Sequence, residues 1–138
     1  MTTHHAEIRL RTTAREETHD ITDRVREVVR TSGIRDGVCL VASTHTTAGI
    51  FVNENADPDV QHDLLAQIAR IVPDDGDFQH AEGNSPAHIK AVLVGSDVTL
   101  AVRDGELWLG RWQGVYFAEL DGPRQRVATV TVSGDAPV

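Results

Sequence analysis

The stretch "QGVYFAEL", residues 113–120, constrains the fold more than any other. In an extended chain successive side chains point to opposite sides. Gln113, Val115, Phe117 and Glu119 then share one face, and Tyr116, Ala118 and Leu120 share the other. Both faces carry bulky apolar groups, so both are expected to be covered. One cover is the core; the other is expected from a neighbouring subunit. Glu119 projects on a covered face, where it must pair, hydrogen-bond or titrate high. Arg124 or Arg126 is a possible partner. A structural ion pair and a catalytic carboxylate both stay open for Glu119, and Asp121 in the following "DGPR" is by itself an ordinary turn residue.

The rest of the chain fits around that strand. Residues 5–11, "HAEIRLR", alternate apolar and polar as a half-buried strand does. Ile21, Val25, Val28 and Val29 recur at helical spacing, with Asp20 able to cap and Gly33 able to end the helix. "GVCLVAS" (37–43) and "AGIFVNE" (48–54) read as one bent strand or two short ones, divided by "THTT". Asp57-Pro58 opens a second helix with the stripe Val60, Leu64, Leu65, Ile68, Ile71 and Val72, stopped by Pro73. "SPAHIKAVLVG" predicts a short third helix ending near Gly95. "VTLAV" (98–102), "ELWL" (106–109) and "RVATVTV" (126–132) are further strands, the first two joined by the hairpin signal Asp104-Gly105. The expected fold is α+β: one domain over 1–138, a mostly antiparallel sheet covered by two long helices and one short helix.

Charge narrows the partners. Thirteen basic against 21 acidic residues leave a net charge of −8. Binding to nucleic acid or to an anionic membrane relies on positive fields, so neither is expected. No apolar run is long enough to span a bilayer, and the N-terminus lacks a signal-peptide pattern, which predicts a cytoplasmic protein. Cys39 is the only cysteine and lies in an apolar run, so a buried, inert thiol is expected.

Two polar segments stand out. In "STHTT" (43–47), Ser43, His45 and Thr47 face one way in an extended chain, giving hydroxyls beside an imidazole. A polar strand corner explains the same residues. "HAEGNSPAHIK" (80–90) needs only Asn84 or Ser85 and Pro86 to start a helix. It also carries His80, His88 and Lys90, the only lysine among the 13 basic residues. Free N–H groups and the positive dipole end at a helix start bind anions, phosphate included. No contiguous zinc signature is present, so a metal site needs His45, His80 and His88 brought together by folding.

The segments "STHTTAGIFVNE", "DPDVQHD", "H--GNSPAHIKA-L-G" and "G-LWLG-WQGVYFAELDGPRQR" follow one another in the order and spacing of the YjbQ-like family, whose members are called secondary thiamine-phosphate synthases. The chain resembles that family from about Gly37 to Gly134. The resemblance implies a homotrimer with clefts near subunit boundaries. It also implies a weak thiamine-phosphate synthase activity, joining a pyrimidine pyrophosphate to a thiazole phosphate with loss of pyrophosphate, beside a primary role that is unsettled. The family's histidines are matched by His45, His80 and His88, a possible site for a divalent metal, zinc or magnesium. Asn84, Gln113, Asp121 and Arg124 match other motif positions.

The resulting assignment places His88, Glu119 and Asp121 as catalytic residues. Thr46, Thr47, Asn84, Ser85, Lys90, Gln113 and Arg124 would hold a small phosphorylated substrate. Two other readings compete: a metal- or phosphate-ligand-binding trimer without significant catalysis, and a metal-assisted phosphoester hydrolase. No G-x-S-x-G elbow is present, which weighs against a serine mechanism.

Overall fold

In chain order the elements are β1 (Thr2–Arg11), β2 (Glu17–Asp20), α1 (Thr22–Ser32), β3 (Asp36–Ser43), β4 (Ala48–Glu54), α2 (Pro58–Ile71), α3 (Ser85–Val94), β5 (Asp97–Arg103), β6 (Glu106–Leu107), β7 (Gln113–Glu119) and β8 (Gln125–Asp135). The structure, a computed structural model, describes residues 1–137; Val138, the last residue of the expected domain, lies outside the described residues. All strand pairs are antiparallel. They form two sheets, not the one expected: β1-β8-β3-β5-β6 and β2-β7-β4. The separation happens at "STHTT". β3 pairs with β5 and β8, the chain turns at residues 44–47, and β4 joins β7.

Local chemistry explains the element ends. Asp57 accepts a hydrogen bond from Asp59 N at 2.9 Å, and Pro58 begins α2, as the sequence predicts. Asp20 Oδ1 receives the Thr22 N–H at 3.0 Å at the start of α1, and Gly33, at φ 72°, ends that helix in the left-handed region. Asp104 (φ 52°) and Gly105 (φ 77°) form the tight turn between β5 and β6. β2 escapes prediction because "ETHD" has no apolar alternation; it exists by pairing with one side of β7.

β7 is the middle strand of the smaller sheet and is buried from Gly114 to Glu119. Val115 and Phe117 enter the main core with Val25 and Val29 of α1, Cys39 and Val41 of β3, Ile50 of β4, and Ala128, Val130 and Val132 of β8. On the other face Leu120, just past the strand end, packs against Ala87, Ala91 and Val94 of α3. Leu120, at this end of β7, is therefore covered by a helix of the same chain. A helix crossing a sheet buries apolar surface as well as a partner chain does. Cys39 is fully buried, and burial pushes its thiol up to about 11, the inert state expected. Among the described residues no helix is long and apolar enough to cross a membrane.

The C-terminal end of α3 is stitched to both sheets. Gly95 O accepts from Ile50 N at 3.0 Å, and Ser96 O accepts from Ser43 N at 2.8 Å. Gly49 makes this approach possible, since a Cβ there would stand 2.6 Å from Gly95 O. Gly49→Ala should lower stability by about 1–3 kcal/mol, the usual cost of overpacking. Chemical denaturation checks this; an unchanged midpoint would show that α3 can shift freely.

Candidate functional site

Two adjoining clefts flank α3: one between the helix and the corner at 44–47, the other between its first turn and the loop at 77–80. His45, Thr46, Ala48, His88, Val92 and Ser96 line the first, of about 540 Å³. His80, Ser85, His88, Phe78 and Asp77 line the second, of about 380 Å³. His88 belongs to both. It stands edge-to-face with His80, ring centres 5.4 Å apart at 86°. The helical repeat explains its position: His88 and Val92 share a side of α3, roughly a third of the way round the helix from the buried side made by Ala87, Lys90 and Ala91.

His45 has a defined role. Its Nε2 accepts the Val127 N–H at 2.9 Å. The last rung between β3 and β8 is Ser43 opposite Ala128, so the ring supplies the acceptor that β3 no longer offers to β8. An accepting Nε2 leaves the proton on Nδ1 in the neutral ring. Burial disfavours the charged ring, and the Arg126 guanidinium adds to this; the His45 pKa is held below its ordinary value.

Below the clefts lies a buried polar network. Arg126 Nε donates to Glu119 Oε1 at 2.9 Å, and Arg126 Nη2 donates to Glu119 Oε2 and to Thr47 Oγ1 at 2.9 Å. The Thr12 hydroxyl donates to Glu119 Oε1 at 2.6 Å, and Asp121 N donates to Oε2 at 3.1 Å. Glu119 has no exposed surface and Arg126 only 3%. Burial alone would raise the Glu119 pKa, but the hydrogen bonds from Arg126, Thr12 and Asp121 N together outweigh it and hold the carboxyl below its ordinary value. Glu119 is thus an ionised structural carboxylate with both oxygens engaged. This expected catalytic carboxylate lines neither cleft.

A third cluster sits at the α3 N-terminus. Asp121 Oδ2 accepts from Asn84 Nδ2 at 3.0 Å and from Arg124 Nη2 at 3.1 Å. Arg124 Nε also donates to the Asp121 carbonyl at 2.9 Å. Asn84 Oδ1 is buried and has no hydrogen-bond partner among the described residues.

The expected site residues therefore divide. His45, Thr46 and His88 meet in one cleft, and His80, Ser85 and His88 in the next; Asn84, Asp121 and Arg124 form the neighbouring cluster. Thr47 is buried on Arg126. Lys90 turns inward: its helical phase puts it on the buried side of α3, where Nζ pairs with Glu16 at 2.8 Å. Gln113 is at the other end of β7, six residues from Glu119, or about 20 Å along a strand. There its Oε1 accepts Gly110 N at 2.8 Å and shapes the preceding turn. Among the described residues no group of three His, Cys, Asp or Glu side chains is arranged to hold a metal ion. The expected set of three imidazoles reduces to the His80–His88 pair, with His45 Nε2 committed to the backbone. Thr12 and Glu16 are the polar residues that sequence reading missed. Both follow the end of β1 in a segment without periodicity, so only their partners reveal them.

Two outcomes follow. Arg126→Leu would leave Glu119 buried without its counter-charge and should cost about 3–5 kcal/mol in chemical denaturation. In NMR titration His45 should protonate below about 6.5. Because its folded pKa is depressed, the stability it contributes is present above that pH and declines as pH falls beneath it. A His45 midpoint at or above the ordinary value would contradict the Val127 hydrogen bond.

The comparisons with known proteins agree with this fold. Residues 6–135 match the family described as "UPF0047 protein YjbQ-like". UPF0047 protein MJ1081 of Methanocaldococcus jannaschii is 46% identical over 126 residues, spanning 91% of each chain. UPF0047 protein YugU of Bacillus subtilis is 43% identical over 128 residues, covering 92% of this chain and 97% of the relative. A crystal structure of an uncharacterised YjbQ/UPF0047 protein from Clostridium acetobutylicum superposes with a TM-score of 0.91 at 48% identity, covering 93% of this chain and 99% of that one. A YbjQ-like protein of unknown function from Sulfolobus solfataricus gives a TM-score of 0.94 at 34% identity, covering 97% and 99%. The chain belongs to the YjbQ/UPF0047 family.

Proposed function

We propose that this chain is an enzyme acting on a small phosphorylated molecule, with a secondary thiamine-phosphate synthase activity. The observation that carries the reading is the placing of His88 on the shared wall of two clefts, with His45 and Thr46 in one and His80 and Ser85 in the other. In the proposed reaction the bond between the pyrimidine methylene carbon and the pyrophosphate oxygen breaks. Pyrophosphate leaves with that electron pair. The thiazole nitrogen supplies the pair for the new C–N bond, so no oxidant or reductant is needed.

The residues near the clefts suit the charges involved. The first turn of α3 presents its positive end toward departing negative charge. Thr46, exposed, and Ser85 offer hydroxyl donors to phosphate oxygens, and Arg124 offers a half-exposed guanidinium. The buried Asn84 Oδ1, free of partners among the described residues, is an acceptor for a substrate N–H. Asp121 is held by Asn84 and Arg124, and in this reading it orients both. Glu119 and Lys90 support the walls from beneath.

A divalent metal belongs to the proposal in reduced form. His80 and His88 supply two imidazoles, a donor type that suits zinc better than magnesium, which prefers oxygen. Such an ion would add positive charge against phosphate oxygens. A homotrimer is also proposed. Support comes from apolar residues left in solvent on α3 beside the clefts: Ile89, Val92 at 81% exposure and Leu93 at 60%.

The test is His88→Ala, assayed for thiamine phosphate formation, with the oligomeric state read by light scattering. Turnover should fall at least about 100-fold, in line with loss of a group acting on the transition state, while assembly is unchanged. Undiminished turnover would remove His88 from the site. Release of inorganic phosphate without any C–N product would favour the hydrolase reading.

A further inference from the structure

A separate cavity lies away from the histidine clefts, between α2 and the smaller sheet. It measures about 230 Å³ and is walled by Phe51, Leu64, Leu65, Ile68, Val94 and Leu120. We propose that it is a binding site for a small, flat, apolar molecule of one or two fused rings with one polar edge.

Three observations support this assignment. First, α2 carries a full apolar stripe, yet none of its residues is buried. Leu64, Leu65 and Ile68 are each half-buried and face the void instead of packed protein. Apolar stripes of this kind are ordinarily consumed by the core. Second, an enclosed apolar cavity of about 150 Å³ takes up benzene, and this half-open pocket of about 230 Å³ has room for a ring system of benzene-to-indole size. Third, the wall suits a flat ligand. Phe51 is stacked on Tyr116 at 5.2 Å and 10°, which fixes its ring as a plane. The polar members of the lining are Thr18 and Asn53. Asn53 Oδ1 already accepts from Glu54 N at 2.8 Å, which leaves its Nδ2 to donate to the polar edge of the ligand. The cavity shares no lining residue with either histidine cleft, so the assignment does not depend on the proposed enzyme activity.

Indole is the probe. Titrated into the full chain, it should give saturable shifts of the Leu64, Leu65, Ile68 and Leu120 methyl resonances and raise the melting temperature by about 5 °C at tenfold excess over Kd. Leu65→Phe and Leu64→Phe each add bulk from a half-exposed helix position and should abolish those shifts; either suffices if the other does not fold. His88→Ala should bind indole as the parent does, which separates this site from the clefts. Absence of saturable shifts, shifts that survive both filling variants, or shifts confined to the exposed Trp108–Trp112 surface would overturn the assignment. So would binding that appears only on dilution of the protein, which would give the cavity to a side chain of a second copy.

Discussion

Where the two sheets meet, the Arg126 guanidinium of β8 lies against the Glu119 carboxylate of β7, both shut off from water. Four chain segments converge on this pair: the end of β1 through Thr12, the corner before β4 through Thr47, the end of β7, and the start of β8. An ion pair so deeply placed is costly to desolvate, and it survives because both Glu119 oxygens and the Arg126 Nε and Nη2 donors are engaged. Its directional bonds set how one sheet is placed against the other, which apolar packing alone would leave adjustable.

The clefts inherit their shape from that junction. His45 lies two residues past the end of β3 and is anchored to Val127 N, next to Arg126. Asp121 lies two residues past Glu119, and its backbone N–H is anchored on the Glu119 carboxylate. Asn84 and Arg124 are then gathered on Asp121. The α3 helix is held from the other end by Gly95 and Ser96, so His88 has one place to stand. A well-anchored base carrying open clefts, mostly apolar with a few placed polar groups, is the usual arrangement for a site that must present groups to a ligand.

Much of this was visible in the residues. The twofold burial of "GVYFAEL", the cap at Asp57, the Gly33 terminator and the Asp104-Gly105 turn all carry local signals, and each recurs in the structure. The dense polar run at 80–90 does border a cleft. Other features had no local signal. "ETHD" becomes a strand only because β7 has an unpaired side. Lys90 looked like a phosphate ligand because its rarity and its neighbours are conspicuous, yet one step of helical phase sends it inward to Glu16. Gln113 sits in the same motif as Asp121, but an extended strand carries motif neighbours far apart.

The sequence by itself determined the secondary elements other than β2, the burial of both faces of β7, the capped start of α2 and the resemblance to the YjbQ-like family. These depend on periodicity and on backbone preferences that act over a few residues. Only the tertiary structure decided that the strands divide into two sheets, that Arg126 and not Arg124 neutralises Glu119, and that His45 spends its Nε2 on a backbone N–H. Those outcomes turn on which groups lie within about 3 Å after folding, a distance that spacing along the chain does not encode.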